Sequence, residues 1–361
     1  EQQTVSSLAG KWIRKDILPD DIYRKWAQSV AMEYANYHRT LNCQRKLVEL
    51  FEKHGINIAI LKGSAAAIAY PYPELRKLGD IDFMVSPEQF EQAYHVLLDH
   101  GYQLLYDDDH VDYHYTLGYN NMTYEIHKYP AGVDEMQEKD QLIELFNVGM
   151  KEIVKREQGR YTIPMFPSLQ NGIVLLLHIR KHISSGLGLR QIIDWMMYVN
   201  NELQDEQYKA YEYVYKSLGV DKLAILTTRM CQLYLGLSET ITWCFKADDK
   251  MCSYFFNYIM SQGNFGKKQK FEENSCVNIV QSASKNLKTP FHIISVLHTE
   301  GRIKWKYGEK YPFLAGMWMA KQYFLLFIKR LLSGKINEDM KAGIEKDRLF
   351  QAIGIYKEEI T

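Results

Sequence analysis

The feature that most limits how this chain can fold is an apolar run, residues 56–61, that stops at Lys62-Gly63-Ser64. The run is short and rich in β-branched side chains, which predicts a buried strand. The alanine-rich residues 65–69 that follow are typical of a helix start. A strand that turns into a helix at a Gly-Ser pair points backbone N–H groups at open space, where they can bind phosphate. The segment therefore predicts a phosphate-binding turn.

Acidic residues recur at alternate positions in two later segments that have the pattern of strands. Because side chains alternate across a strand, Asp80 and Asp82 share one face of the first segment. By the same rule, Glu125 and His127 share a face of residues 123–127. Neighbouring carboxylates repel each other, and a divalent cation is the usual means of holding them together. The alternative is a solvated edge strand, where an Asp-x-Asp pattern is common.

The order of these motifs resembles the DNA polymerase β nucleotidyltransferase superfamily, in which a strand, Gly-Ser, a helix, an Asp-x-Asp strand and a later acidic strand follow one another. A longer string is similar to one branch, an uncharacterised bacterial nucleotidyltransferase-like family. Most of the superfamily has aspartate where this chain has Glu125, and the branch resembles the glutamate version. The string comprises Leu61-Lys62-Gly63, Leu75-Arg76, Gly79-Asp80-Ile81-Asp82 and Glu125-Ile126-His127.

The resemblance implies transfer of a nucleoside monophosphate from an NTP to a hydroxyl group of an acceptor, with release of pyrophosphate. Asp80, Asp82 and Glu125 would hold two Mg²⁺ ions, with Mn²⁺ as an alternative, and Glu125 would also accept the hydroxyl proton. An outward-facing glutamate on a hairpin is the competing interpretation of Glu125. Lys62 and Arg76 are either phosphate ligands or ordinary surface charges. The full set of nucleotide-binding candidates is Lys62, Gly63, Ser64 and Arg76.

Further candidates are His127 and a group farther along the chain whose His-x-x-x-His and Arg-x-x-x-Asp patterns resemble those of the same branch, which implies a cleft that faces this site. His178 and His182 stand one helical turn apart, and Arg190 and Asp194 follow on the next predicted helix. The i, i+4 spacing is that of helical metal ligands, so a metallohydrolase is one interpretation. The other is a set of hydrogen bonds between helices, in which Asp194 fixes a histidine and Arg190 pairs locally. His127 either orients the neighbouring glutamate, touches the substrate or is a hydrogen-bonded histidine of the sheet.

The charge balance bears on the acceptor and on location. Lys and Arg number 44, as do Asp and Glu, which favours a small molecule or a protein over a long nucleic acid as acceptor. The five cysteines are odd in number and scattered, which is typical of free thiols in a reducing cytoplasm. The most apolar late stretch, residues 313–328, is interrupted by Lys321 and Gln322. We therefore expect a cytoplasmic protein with no membrane partner.

The predicted fold class is α+β, with a polymerase β-type nucleotidyltransferase domain (a small mixed sheet with flanking helices) and a mostly α-helical C-terminal domain. Asn120-Asn121 predicts a tight hairpin between two strands, and residues 263–275 predict a loop. The expected domains are N-terminal helices (1–55), the nucleotidyltransferase α/β domain (56–150) and a helical domain (151–361). The predicted helices cover residues 19–54, 87–100, 169–183, 189–199, 205–217, 221–236, 250–261 and 313–333.

Two other functions fit the same fold. One is a catalytically silent nucleotide-binding or scaffold protein, and the other is a toxin-type nucleotidyltransferase that acts on tRNA or protein. The presence of all three acids argues against the silent protein, because a lapsed site has no reason to keep its carboxylates together.

Overall fold

A computed structural model of the chain describes residues 5–11, 13–105, 114–183, 186–262, 310–333 and 336–354, together with residues 298, 302, 305 and 307. The chain divides into two compact units, Glu1–Gly266 and Lys267–Thr361. The loop predicted for residues 263–275 lies outside the described residues. The three-domain division expected from the sequence stays a prediction.

The first unit is built around a β-sheet. Its strands are β1 (Ile58–Ile60), β2 (Ile81–Val85), β3 (Gln103–Leu104), β4 (His114–Tyr119), β5 (Met122–His127), β6 (Val154–Gln158) and β7 (Tyr161–Met165). Among the described residues, these strands form one seven-stranded mixed sheet in the order β3-β4-β5-β2-β1-β7-β6. The order places β1 and β2, the two strands on either side of the Gly-Ser turn, in the interior of the sheet.

The pairing of β2 with β5 brings the acidic residues side by side. The two strands are parallel, and Asp82 lies opposite Glu125. The strands β4 and β5 form an antiparallel hairpin around Asn120 and Asn121. Both asparagines have positive φ angles, 49° and 55°, which is the backbone conformation of a type I′ turn. The predicted hairpin, and its position beside the Asp-x-Asp strand, are confirmed.

Two strands that the sequence did not predict complete the sheet. The strand β7 pairs with β1 in parallel, with Ile60 opposite Met165, and β6 pairs with β7. The sequence VKREQ of β6 is charged because β6 is an edge strand with three of its five residues exposed, and charged edges prevent further pairing. The strand β7 contains Pro164. Because proline is unusual inside a sheet, the sequence of β7 does not predict a strand.

The helices largely match the predicted ones. The first, α1, is continuous over most of the predicted range 19–54, and it ends before Gly55, whose φ angle of +66° suits a residue that closes a helix. No helix of the described residues has the length and apolar character that a membrane span requires. The helices are α1 (Asp20–Lys53), α2 (Gly63–Ala67), α3 (Phe90–Asp99), α4 (Lys139–Lys151), α5 (Ser168–Ile183), α6 (Leu189–Glu202), α7 (Asp205–Ser217), α8 (Asp221–Leu235), α9 (Asp249–Gln262), α10 (Pro312–Leu332) and α11 (Ile336–Ala352).

Apolar packing fixes the elements that carry the candidate residues. Phe51 of α1 packs edge-on against Phe83 of β2, with ring centroids 5.7 Å apart, and both side chains are fully buried. In the helical part of the first unit, buried Trp195 of α6 donates a hydrogen bond from Nε1 to Thr228 Oγ1 of α8 at 2.9 Å. Burying an aromatic side chain contributes roughly 1.5–3 kcal/mol. The predicted α+β class and helical C-terminal region are confirmed.

Candidate active site

Asp82, Glu125 and His127 form a compact group where β2 and β5 lie side by side. Their ligand atoms all lie within 4.8 Å of one another, and within the described part of the chain this is the one such group of acids, histidines or cysteines. His127 Nε2 lies 3.3 Å from Asp82 Oδ1 and 3.5 Å from Glu125 Oε2. Two carboxylates and an imidazole are donors that suit a divalent metal ion. The sequence prediction that Glu125 and His127 share a face is confirmed.

Asp80 lies just before β2 and lines the same cavity as Asp82 and Glu125. It is exposed to solvent and does not belong to the compact group. The charge of Asp82, partial burial and the charge of Glu125 raise the pKa of Asp80 to about 6. Like charges placed this close make the ionised form of one carboxyl unfavourable. The three carboxylates therefore repel one another at this wall of the cavity.

Lys62 is the positive charge closest to these acids. Its Nζ lies 2.8 Å from Asp82 Oδ1, with both side chains largely buried. Burial would lower the pKa of Lys62, but Asp82, Asp80 and Glu125 outweigh it and raise that pKa. For Asp82 the effect of burial is the opposite: burial alone would raise its pKa, but Lys62 and His127 hold that pKa well below its usual range. Lys62 also has a φ angle of +49°, which costs a non-glycine residue energy and is found mostly at functional sites.

Gly63 and Ser64 form one motif in the sequence, but Gly63 faces the cavity and the Ser64 side chain faces α1. Gly63 lines the cavity, has a φ angle of +41°, and a Cβ added to it would meet no atom within 4 Å. The turn is therefore open to a ligand at this residue. Ser64 is buried, and its hydroxyl donates a hydrogen bond to Gln44 of α1. The Ser64 hydroxyl thus faces α1, and only the backbone of the turn remains for the predicted phosphate contact.

Arg76 and Asp194 form a buried ion pair. Arg76 donates from Nε to Oδ1 at 3.0 Å and from Nη2 to Oδ2 at 2.6 Å, and Tyr70 donates its hydroxyl to Oδ1 at 2.7 Å. The expectation that Asp194 fixes a histidine is therefore wrong, because the planar guanidinium matches both carboxylate oxygens. Arg76 still lines the cavity, but its charge is compensated by Asp194.

The helical elements supply the other wall of the cavity. His178 and His182 of α5 line it with their ring centroids 4.7 Å apart. Burial and the nearby charge of Lys62 lower the pKa of His182 to about 4 and that of His178 well below its ordinary value. Both rings are therefore neutral at pH 7. Since Asp194 is bonded to Arg76, the metal site of the metallohydrolase interpretation does not form among the described residues.

Lys181 and Arg190 complete this wall. The sequence analysis missed Lys181, although its position between two candidate histidines on one helix was a usable signal. Arg190 does not pair locally as expected; within the described part of the chain its side chain makes one hydrogen bond, from Nη1 to the Lys77 carbonyl at 3.3 Å. The cavity, about 200 Å³ in volume, therefore has an acidic wall from the sheet and a basic wall from α5 and α6.

Curated protein sequences gave no match. A crystal structure of ANT(2″)-Ia in complex with adenylyl-2″-tobramycin is similar at 11% identity, with a TM-score of 0.36, over 50% of this chain and 98% of that chain. A solution structure of the antibiotic-resistance factor ANT(2″)-Ia gives 11% identity and a TM-score of 0.35, over 50% of this chain and 92% of that one.

A family model described as "Uncharacterised nucleotidyltransferase" matches residues 2–236. The match includes both walls of the cavity and extends over more than half of the chain. It agrees with the family that the motifs around Gly63, Asp82 and Glu125 resemble. The chain belongs to this nucleotidyltransferase family.

Proposed function

We propose that this chain is a metal-dependent enzyme that transfers a nucleoside monophosphate from an NTP to a hydroxyl group and releases pyrophosphate. The observation that carries the proposal is the cavity itself, in which Asp80, Asp82 and Glu125 face a wall of cationic side chains. A nucleotide bound to a metal ion complements both walls of the cavity. The metal cation can bind to the acidic side chains, and the phosphate chain can bind to the cationic side chains.

The donors of the compact group fit a divalent cation. Asp82 and Glu125 offer the carboxylate oxygens that Mg²⁺ and Mn²⁺ prefer, and Asp80 lines the cavity beside them. When bound, the metal would supply positive charge that offsets the charge developing on the phosphates. His127 is almost fully buried and lies within 3.5 Å of both carboxylates, so it would hold them in place.

Glu125 is the residue that we assign to proton transfer. Its side chain is 27% exposed, whereas that of Asp82 is 6% exposed, so an acceptor hydroxyl can reach Glu125 more easily. A carboxylate within hydrogen-bonding distance of the attacking hydroxyl accepts its proton as the new bond to phosphorus forms. Asp82 would instead serve as a ligand of the metal, because Lys62 and His127 hold its pKa well below its usual range and keep it ionised.

The turn after β1 would bind phosphate oxygens. Gly63 leaves room for a phosphate to approach the backbone, and the N–H groups at the start of α2 are hydrogen-bond donors. Lys62 adds a positive charge on the same side. A cavity of about 200 Å³ is smaller than the roughly 300–1,000 Å³ of typical ligand pockets. We therefore propose that the phosphates enter it and that the base and the acceptor bind outside.

The acceptor that we propose is a small molecule or a protein. The balanced charge of the chain gives no overall positive field of the kind that draws in long nucleic acids. A silent nucleotide-binding protein and a toxin-type enzyme that modifies tRNA or protein are the two alternatives, and both keep the same nucleotide site.

Calorimetric titration with α,β-non-hydrolysable NTP analogues tests the nucleotide site. We expect the wild type to bind one analogue only when Mg²⁺ is present, and the variants Asp82→Asn and Glu125→Gln to bind it at least about tenfold more weakly. Glu91→Gln, which removes an exposed carboxylate of α3, is the matched control and should bind normally. Urea unfolding of each variant shows whether it is folded, because Asp82→Asn leaves the Lys62 ammonium without its partner.

Wild-type protein that binds no analogue in Mg²⁺ or Mn²⁺ would refute the proposal. Binding that persists in both variants would place the nucleotide elsewhere. Binding of an analogue, together with no transfer from the corresponding hydrolysable NTP to any offered hydroxyl acceptor, would favour the silent protein.

A further inference from the structure

Arg190 is a half-buried arginine with few hydrogen-bond partners among the described residues. Its Nε is buried and has no hydrogen-bond partner, and Nη1 makes a hydrogen bond of 3.3 Å to the carbonyl of Lys77. Among the residues that the structure describes, no ion pair joins Arg190 to a carboxylate. Buried charges in proteins are normally paired, so the charge of Arg190 needs an explanation.

The carboxylate that should pair with Arg190 is taken by another arginine. Asp194 lies one turn later on α6, at the i, i+4 spacing that favours an ion pair with Arg190. Both oxygens of Asp194 instead accept hydrogen bonds from Arg76. Arg76 also donates to the same Lys77 carbonyl at 3.0 Å. Two guanidinium groups therefore converge on one carbonyl, and within the described residues Arg76 is the one of the two that is hydrogen-bonded to a carboxylate.

Three contributions make the position of Arg190 unfavourable. Burial and the neighbouring Arg76 lower its pKa, and the charges of Asp194 and Asp80, which raise it, do not make up for them. Arg190 also lies in the first turn of α6, which contains no acidic residue, and a positive charge at a helix N-terminus opposes the helix dipole. Such an unfavourable position is explained if a bound ligand supplies the negative charge that the protein does not provide.

Lys181 of α5 lines the same cavity and likewise forms no ion pair within the described residues. Across the cavity, Lys62 is already paired with Asp82. The positive charge that remains for a ligand is thus concentrated on Arg190 and Lys181. A planar guanidinium that binds two phosphate oxygens at once, with an ammonium group beside it, suits a diphosphate group.

We propose that Arg190, together with Lys181, binds the β- and γ-phosphates of the nucleotide, the part that leaves as pyrophosphate. This inference rests on the function proposed above. It assigns the leaving group to the helical wall and the reacting phosphorus to the acidic wall. Arg190 then contacts the substrate directly.

The test compares Arg190→Met with Arg156→Met, which removes an exposed arginine of β6. Each protein is titrated calorimetrically with inorganic pyrophosphate, with the NTP analogues and with the four nucleoside monophosphates, all in Mg²⁺. We expect Arg190→Met to weaken the binding of pyrophosphate and of the analogue by roughly tenfold to a hundredfold, the loss of charge-assisted hydrogen bonds. Monophosphate binding should not change, and Arg156→Met should behave as the wild type.

Thermal unfolding separates a binding role from a structural one. Without ligand, Arg190→Met should unfold at the same temperature as the wild type or higher, because the variant removes an uncompensated charge. Pyrophosphate should raise the unfolding temperature of the wild type but not that of Arg190→Met. An Arg190→Met protein that is markedly less stable without ligand would mean that the arginine is structural and would overturn the inference.

The binding arms distinguish this inference from the proposed function. Equal analogue affinity in the wild type and Arg190→Met would overturn the inference and leave the function standing. Loss of pyrophosphate binding without loss of analogue binding would assign the anion to the acceptor, which also overturns it. If the wild type binds no analogue, the function fails, and a pyrophosphate site that depends on Arg190 would still support the anion-binding wall.

Discussion

The ion pair between Arg76 and Asp194 joins two parts of the chain that form opposite walls of the cavity. Arg76 follows the turn after α2, and Asp194 belongs to α6. Both side chains are almost fully buried, at 4% and 1% exposure. The pair therefore fixes the position of α6, and with it Arg190, relative to the acidic strands.

We predict that Arg76→Met lowers the free energy of unfolding by about 3–5 kcal/mol, because the buried Asp194 carboxylate loses both hydrogen bonds from Arg76 and keeps that of the Tyr70 hydroxyl unless Arg190, one helical turn away, moves onto it. The double variant Arg76→Met/Asp194→Met should recover most of that loss, since two apolar side chains of similar volume replace the pair. Urea unfolding measures both values. A loss below about 1 kcal/mol in the single variant would mean that the carboxylate is reached by solvent.

At the scale of single residues, the sequence predicted best the side chains whose direction follows from strand alternation. Asp82, Glu125 and His127 come together because each lies on a strand with a period of two. Ser64 and Arg190 were assigned less well, because their partners come from packing between distant elements. Gln44, to which the Ser64 hydroxyl is bonded, lies on α1, and no local pattern connects the two.

The hairpin of β4 and β5 is the element that sets the position of Glu125. Its two-residue turn determines which residue of β5 lies opposite each residue of β4, and a shift of one residue would move Glu125 to the other face of the sheet. Arg39 of α1 donates from Nη2 to the Asn120 carbonyl at 3.1 Å, which attaches the turn to the longest described helix.

We predict that Asn121→Val lowers the free energy of unfolding by about 1–2 kcal/mol, because a β-branched residue is strained at positive φ. Asn121→Gly should change it by less than about 0.5 kcal/mol, since glycine adopts this conformation freely. Thermal and urea unfolding of both variants provide the comparison. Equal stability of the valine and glycine variants would contradict a type I′ turn.

Element prediction succeeded where periodicity was strong. The helices α5 to α9 and α10 have nearly the predicted bounds, because their apolar faces repeat every three or four residues. The helices α4 and α11 and the strands β6 and β7 were missed. The last two lack an apolar alternation that could be recognised, since β6 is a charged edge and β7 contains Pro164. What makes them strands is their pairing with β1 and with each other, which the local sequence does not encode.

For the molecule as a whole, the cavity should make stability depend on pH. The folded protein keeps His178 and His182 neutral next to Lys62, Lys181 and Arg190. The pKa of His182 falls from 6.5 to about 4 on folding, so between these values the unfolded chain binds more protons than the folded one. The stabilising contribution is therefore complete above pH 6.5 and is lost as the pH falls towards 4.

We predict that the wild type loses about 1–2 kcal/mol of stability relative to His182→Asn between pH 7 and pH 4.5, after allowance for solvent screening. Comparison with the variant is needed because Asp80, whose pKa is raised to about 6, acts in the opposite direction over this range. Urea unfolding at several pH values gives the difference. A constant difference between the two proteins would show that His182 is protonated as easily when folded as when unfolded.

The interior position of β1 also has a consequence for how the protein is made. One side of β1 is completed only by β7, since Ile60 lies opposite Met165. At the usual translation rate of about 5–20 residues per second, the open edge of β1 waits roughly 5–20 s for its neighbour to be synthesised. A fragment that ends before β6 would carry every acidic residue of the site and would keep that apolar edge permanently open. Nascent and truncated chains are thus the forms of this protein most prone to aggregate, through the strand that leads into the phosphate-binding turn.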